Sequence, residues 1–190
     1  PVAFWAFDET GGTAAADQVG GHTGTLNGSF SRPGGVTGNA LRFNGAQNVS
    51  VPDSPDWNFA GNDFTLNMWV NFESVPSGSS GAPGEILIGQ DAGAGTNQKW
   101  FLSAYTGNLG FHFINIGVGV QSVSAPFTPV AGQWYDIAFV RSGGTFLFYV
   151  NVNVVGTAPA NFALPNVAAP LTIGSAESFF FNGALDGVAI

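Results

Sequence analysis

The 190-residue chain contains no cysteine. Disulfides, thiol catalysis and cysteine-ligated zinc are therefore excluded together. Cations are nearly as scarce: one lysine and three arginines stand against twelve acids, for a net charge of −8. Nucleic acid and anionic membrane surfaces need clustered cations, so neither is an expected partner. Charged residues of both signs make up only 8% of the chain, well below the usual ~25%. Solubility then falls to Asn, Ser, Thr, Gly and the acidic excess. The sequence has no run of ~18 apolar residues, the length that inserts into a membrane as a helix. A sustained 3.6-residue period is also missing, because 28 glycines and 11 prolines interrupt the chain too often for long helices.

What is present is alternation with a period of two. In residues 64–72, Phe64, Leu66, Met68, Val70 and Phe72 share one face, while Thr65, Asn67, Trp69 and Asn71 share the other. Similar runs predict strands over 2–7, 40–44, 49–51, 85–89, 100–105, 109–115, 118–124, 134–141, 145–152, 171–174 and 183–190. Gly-rich turn clusters separate them, and Gly143-Gly144 joins two alternating runs as a hairpin. Many short strands in a chain of this length predict a single all-β domain, a sandwich or barrel, over 1–190. The opening Pro1-Val2-Ala3-Phe4-Trp5 reads as a mature or trimmed start rather than a secretory leader.

The segments also occur in a telling order. An aromatic strand ends in Asp8-Glu9, followed by Gly12, Asp17 and Gly21-His-Thr-Gly-Thr-Leu26. Then come Gly38-Asn-Ala-Leu-Arg-Phe-Asn-Gly45, Val51-Pro-Asp-Ser-Pro-Asp56, the strand at 64–70 and the hairpin beginning at Gly132-Gln-Trp134. Gly183-Ala-Leu-Asp-Gly-Val-Ala-Ile190 closes the series. This order resembles the laminin-G-like domain of the concanavalin A-like lectin/glucanase superfamily, in its bacterial secreted form. The resemblance implies an antiparallel two-sheet jelly roll, an extracellular or cell-surface location, and a final strand that the family usually continues beyond the position of Ile190. Two positions depart from the pattern: Val152 stands where a turn glycine is usual, and Asp136 where a histidine is common.

The superfamily holds lectins, adhesion modules and glycosidases, so the fold does not choose among them. Two-carboxylate glycoside hydrolysis needs a pair of acids facing one cleft. None of Glu9, Glu73, Glu85 and Glu177 has a second acid two residues away in a strand, and Asp136 is alone in its strand. The expectation is a non-catalytic module. Glycans are bound by flat aromatic rings beside short amides and carboxylates. That chemistry nominates Trp69, Trp100, Asp136, Tyr149 and Asn151. Trp100 follows a flexible loop and is expected at a rim, while loops folding over Trp134 and Tyr149 would make those rings structural. Trp57 is expected to plug one end of the sandwich.

The resemblance also implies calcium, which takes six to eight oxygen ligands. Terminal strands lie close in such a jelly roll, which lets Asp8, Asp17 and Asp186 converge on an ion. The same acids read equally well as turn caps and backbone anchors. Asp91 and Asn97 form a second, weaker candidate. Finally, Phe179, Phe180 and Phe181 cannot all face one core from an extended segment, so an exposed ring and a protein partner are expected there. The leading expectation is a carbohydrate-binding module, with a protein-interaction or adhesion domain as the alternative and a glycan-active hydrolase or lyase third.

Overall fold

The computed structural model describes residues 1–190. One antiparallel sheet runs in the order β1 (Phe4–Trp5), β19 (Asn182–Ala189), β6 (Phe64–Phe72), β13 (Trp134–Ser142), β14 (Thr145–Val150) and β15 (Asn153–Pro159), with β4 (Leu41–Asn44) also paired to β19. The opposing sheet runs β12 (Gly119–Pro126), β11 (Asn108–Asn115), β10 (Lys99–Tyr105), β9 (Glu85–Asp91), β16 (Leu171–Ile173), β5 (Asn48–Val51), β3 (Gly24–Asn27) and β2 (Ala14–Ala15). Two short hairpins, β7 (Gly78–Ser79) with β8 (Ala82–Pro83) and β17 (Ser175–Ala176) with β18 (Phe179–Phe180), lie outside these sheets. No helix is long and apolar enough to cross a membrane.

Alternation sets the layers. On β6, Leu66, Met68, Val70 and Phe72 are buried while Asn67, Trp69 and Asn71 are half-buried on the opposite face. On β13 and β14 the same pattern buries Ile137, Phe139, Phe146 and Phe148. These side chains meet the other sheet in one contiguous core. Phe139 stacks on Phe111 of β11 at 4.2 Å between ring centres, and Phe64 stacks on Phe59 at 4.1 Å. Truncating one such buried ring to alanine costs ~3–5 kcal/mol.

Trp57 lies in a 3-10 turn (Pro55–Trp57) capped by the Ser54 hydroxyl, which accepts from the Asp56 amide. It is fully buried beneath the edge of His22, at 4.7 Å, and beside Trp5. It belongs to the main hydrophobic core. Phe181 is likewise fully buried, against Phe43 and Phe72, whereas Phe179 packs on a small separate cluster of Ile86, Phe101 and Ala176. Phe180 is half-buried. The chain itself covers this run more than its sequence suggests, because the β17–β18 hairpin folds back over the outside of β9 and β10.

Two differences from the expected strands are informative. Residues 153–159 form an edge strand, β15, that alternation did not reveal. An edge strand exposed on one side needs no apolar period, and Gly156 and Pro159 mask it further. Residue 152 is in a turn rather than a strand: Asn151 and Val152 both adopt left-handed backbone angles, φ 48° and 64°. The Gly143-Gly144 turn uses the same geometry with residues suited to it, φ 54° and 79°.

One buried acid sets a pH dependence. Glu85 is 8% exposed and accepts from the Asn182 amide at 2.6 Å. Burial pushes its carboxyl up from the ordinary 4.5 to about 7, against the lowering effect of that amide. The folded state therefore holds this proton at pH values where the unfolded chain has lost it. Its contribution is intact below pH 4.5 and is lost as pH rises towards 7. Glu85→Gln keeps the acceptor and removes the charge. The variant's stability advantage over wild type should grow across that window by up to about 3 kcal/mol, since one pKa unit is ~1.4 kcal/mol. Urea unfolding at pH 4.5, 6 and 7.5 measures this, and a constant difference would show that Glu85 does not titrate there.

The Asn151-Val152 turn gives a second expectation. A β-branched residue in the left-handed region costs ~1–2 kcal/mol, partly offset by the extra freedom glycine brings to the unfolded chain. Val152 is 82% exposed, so its side chain forms little compensating contact. Val152→Gly should raise unfolding stability by about 0.5–1 kcal/mol. A loss of stability would mean that the valine makes a contact stronger than the strain.

Candidate functional site

The outer face of the first sheet collects the polar and aromatic residues that alternation turns away from the core. Register places Asp136, Trp69 and Asp186 in one row across β13, β6 and β19. Directly opposed residues of antiparallel strands point to the same face. The neighbouring row holds Ala138, Asn67 and Ala189. Asn67 donates from Nδ2 to Asp136 Oδ1 at 2.6 Å, which fixes the carboxylate and leaves its other oxygen free of protein partners. Trp69, Asp136, Trp134 and Tyr149 are all half-buried. The rings of Trp134 and Tyr149 thus keep a solvent-facing part.

Two hollows flank the Asn67–Asp136 hydrogen bond. One, of about 340 Å³, is lined by residues that include Phe4, Asp8, Thr37, Asn67, Trp69 and Asp186. The other, of about 290 Å³, is lined by Asp136, Ala138, Val140, Tyr149 and Val152. A bulge in β19 sits beside the first: pairing to β6 shifts between Asp186 and Ala189. Gly187, at φ 58°, occupies it. A Cβ there would meet the rings of Phe4 and Trp69 at 3.7 and 3.9 Å, so the glycine leaves the gap between those rings open. Bulges of this kind commonly re-aim side chains at functional sites.

The loop from Gly34 to Asn39 forms the far wall, held down by two acids. Asp186 Oδ2 accepts from the amides of Val36 (2.7 Å) and Thr37 (3.0 Å), and Asp8 Oδ1 accepts from the amide of Asn39 (2.7 Å). The clamp requires close approach. A Cβ on Gly35 would lie 2.5 Å from Asp186 Oδ2, and one on Gly38 only 2.0 Å from Asp8 Oδ1. Burial raises the Asp186 carboxyl above its ordinary range, opposed by the Thr37 and Val36 amides and reinforced by the charge of Asp8.

The structure does not unite Asp8, Asp17 and Asp186 as a metal-binding set. No three His, Asp or Glu side chains come together in a way that would hold an ion. Asp17 accepts from four backbone amides, those of Phe4, Val19, Gly20 and His22, at 2.8–3.0 Å. Burial pushes its carboxyl up, but the amides together outweigh this and hold it below the ordinary value. A carboxylate ringed by N–H donors presents no free lone pairs to a cation. Asp17 therefore does not fit calcium, and its four amide bonds match the anchoring alternative.

The second candidate is corrected in a similar way. Asp91 accepts from the amides of Gly93 and Glu177, and Asn97 donates to the Ala94 carbonyl. The fully buried Lys99 ammonium pairs with Glu177 and Asp91 and donates to the Gly93 carbonyl.

Two of the aromatic and amide nominations also change. Trp100 is fully buried, with its indole N–H donating to Gln90 Oε1 at 3.1 Å, and it packs on Phe59 and Phe111. It is a core residue and takes no part in a rim. Asn151 is at the surface, but its Oδ1 accepts from the Asp136 amide at 2.9 Å, which pins the left-handed turn. Trp69, Asp136 and Tyr149 stay on the open face. Sequence reasoning passed over Phe4, Thr37 and Gly187. The spacing Gly35–Gly38 and the Asp186-Gly187 pair were the available signals, since glycines beside acids often mark a backbone clamp.

The comparisons agree with this architecture. A family model described as the concanavalin A-like lectin/glucanases superfamily, of laminin G type, matches residues 43–190. Domain 4 of AbnA, an extracellular arabinanase from Geobacillus stearothermophilus, in complex with arabinotriose, superposes with a TM-score of 0.74 at 17% identity over 98% of this chain and 89% of that one. The botulinum neurotoxin serotype G binding domain gives 0.70 at 13% identity, and the serotype D ligand-binding domain in complex with N-acetylneuraminic acid gives 0.64 at 12%. This chain covers 98% of its own length but only 46% of each toxin chain. No relative was found among curated protein sequences. A family match over most of the chain, on a two-sheet jelly roll built by its own alternating strands, makes this protein a member of the concanavalin A-like lectin/glucanase superfamily.

Proposed function

We propose that the protein is a non-catalytic carbohydrate-binding module of the cell exterior, and that the outer face of the β6 sheet holds the glycan. The observation that carries this reading is the row Asp186–Trp69–Asp136 with Asn67 and Tyr149 around it, opening into two adjoining hollows. The indole and phenol rings supply flat apolar surfaces for sugar rings, and the fixed carboxylate and amide supply acceptors and donors for hydroxyls. The arabinanase domain with arabinotriose and the toxin domain with N-acetylneuraminic acid support the reading through their shared fold. A non-catalytic role is supported by the state of the acids: Asp8 and Asp186 are turned to loop amides, and Asp136 is held by Asn67. The superfamily and the extracellular arabinanase that holds the similar domain favour a place outside the cell.

Isothermal titration against soluble oligosaccharides tests the assignment. Trp69→Ala and Asp136→Ala should each weaken binding about tenfold or more, because central aromatic and hydrogen-bonding contacts dominate such surfaces. Circular dichroism should stay unchanged. Wild-type affinity in both variants would move the site off this face.

The role of the acids as loop anchors has its own test. The melting temperature should be the same in calcium and in EDTA, and Asp186→Ala should lower stability by about 1–3 kcal/mol by leaving two amides unpaired. A calcium-dependent rise that Asp186→Ala abolishes would instead show the acids gathering around a metal.

A further inference from the structure

The chain has four lysines and arginines in total, and the fold engages every one with an acid or a backbone carbonyl. Lys99 is fully buried between Glu177, Asp91 and the Gly93 carbonyl. Arg141 is buried, donates to the carbonyls of Ala60 and Ala160, and lies over the Phe146 ring. Arg32 donates to the carbonyls of Gly11 and Gly12. Arg42 alone sits in register with this face, opposite Ala184, and Glu73 neutralises it at 2.5 Å. The histidines are also elsewhere: His22 pairs with Asp56 and His112 with Ser122.

The same face gathers three carboxylates. Asp8 and Asp186 line the first hollow and Asp136 lines the second. An anionic sugar placed against Trp69 would therefore meet negative charge on both sides and no unpaired cation to receive its carboxylate. In solvent of high dielectric each such repulsion is modest, but three act together within about a Debye length. A neutral sugar meets none of it, and its hydroxyls can donate to the free oxygen of Asp136.

We infer that this face selects uncharged glycans and rejects those bearing sialate, uronate or sulfate groups. The inference rests on the carbohydrate-binding reading above and adds the class of ligand to it. It sets the chain apart from the toxin domain solved with N-acetylneuraminic acid and beside the arabinanase domain solved with arabinotriose.

The test is titration of the whole chain with neutral oligosaccharides, arabinotriose and lactose among them, and with anionic counterparts, sialyllactose and trigalacturonate. Neutral ligands should bind, and anionic ones should bind at least about tenfold more weakly at low ionic strength. The gap should narrow in 0.5 M salt, where the Debye length falls to roughly 4 Å, and narrow again in Asp136→Asn. Equal or tighter binding of an anionic ligand would overturn the selectivity and leave the carbohydrate reading standing. Binding of no ligand from either group would overturn the reading, and the selectivity with it.

Discussion

Strand β6 is the constraint on which the rest depends. It pairs with β13 on one side and β19 on the other, so it lies at the centre of its sheet. Its odd and even residues do unrelated work. Leu66, Met68, Val70 and Phe72 fill the interface between the sheets, and Asn67, Trp69 and Asn71 pave the outer surface. A slip of one residue would exchange the two sets and bring three polar or amphipathic side chains into an apolar interior. Packing of the core therefore fixes the register, and the register places Trp69 between Asp136 and Asp186. The surface that we read as a sugar platform follows from the core that holds the strand.

Charge in this protein is used sparingly. With so few charged groups, the acids work mainly as acceptors for backbone amides rather than as partners of cations. Asp17 organises the turn after the first strand, and Asp8 and Asp186 hold the loop from Gly34 to Asn39 against the sheet. Charge-assisted bonds of this kind are stronger than neutral ones, which suits loops that carry no disulfide. Two of the four cations, the enclosed Lys99 and Arg141, are internal structural pieces in the same sense. What remains on the outer face is a weakly acidic, ring-bearing surface.

Alternation made most of the strands legible, and the turn glycines marked their ends. It also separated the two faces of β6, β13 and β14, so Trp69, Asp136 and Tyr149 were readable as outward residues. Other features resisted for physical reasons. Strand β15 has one exposed edge and no apolar period to betray it. Trp100 follows a polar Gly-rich loop and a lysine, which suggests a rim, yet that lysine is itself buried in an ion pair. Asp8 and Asp186 do approach each other, as the jelly roll implied. Whether their oxygens face a cation or amide donors is set by a loop more than a hundred residues from Asp186 in sequence.

The sequence by itself determined the class of this protein: an all-β chain without thiols, with four lysines and arginines and with strands of known facing. Those properties depend on composition and on neighbours one or two residues apart. Only the tertiary structure decided which rings stay open to solvent, which acids are already occupied by amides, and what partner each of the four cations takes. Burial and hydrogen-bond pairing are relations between distant segments, and a local pattern carries no record of what folds over it.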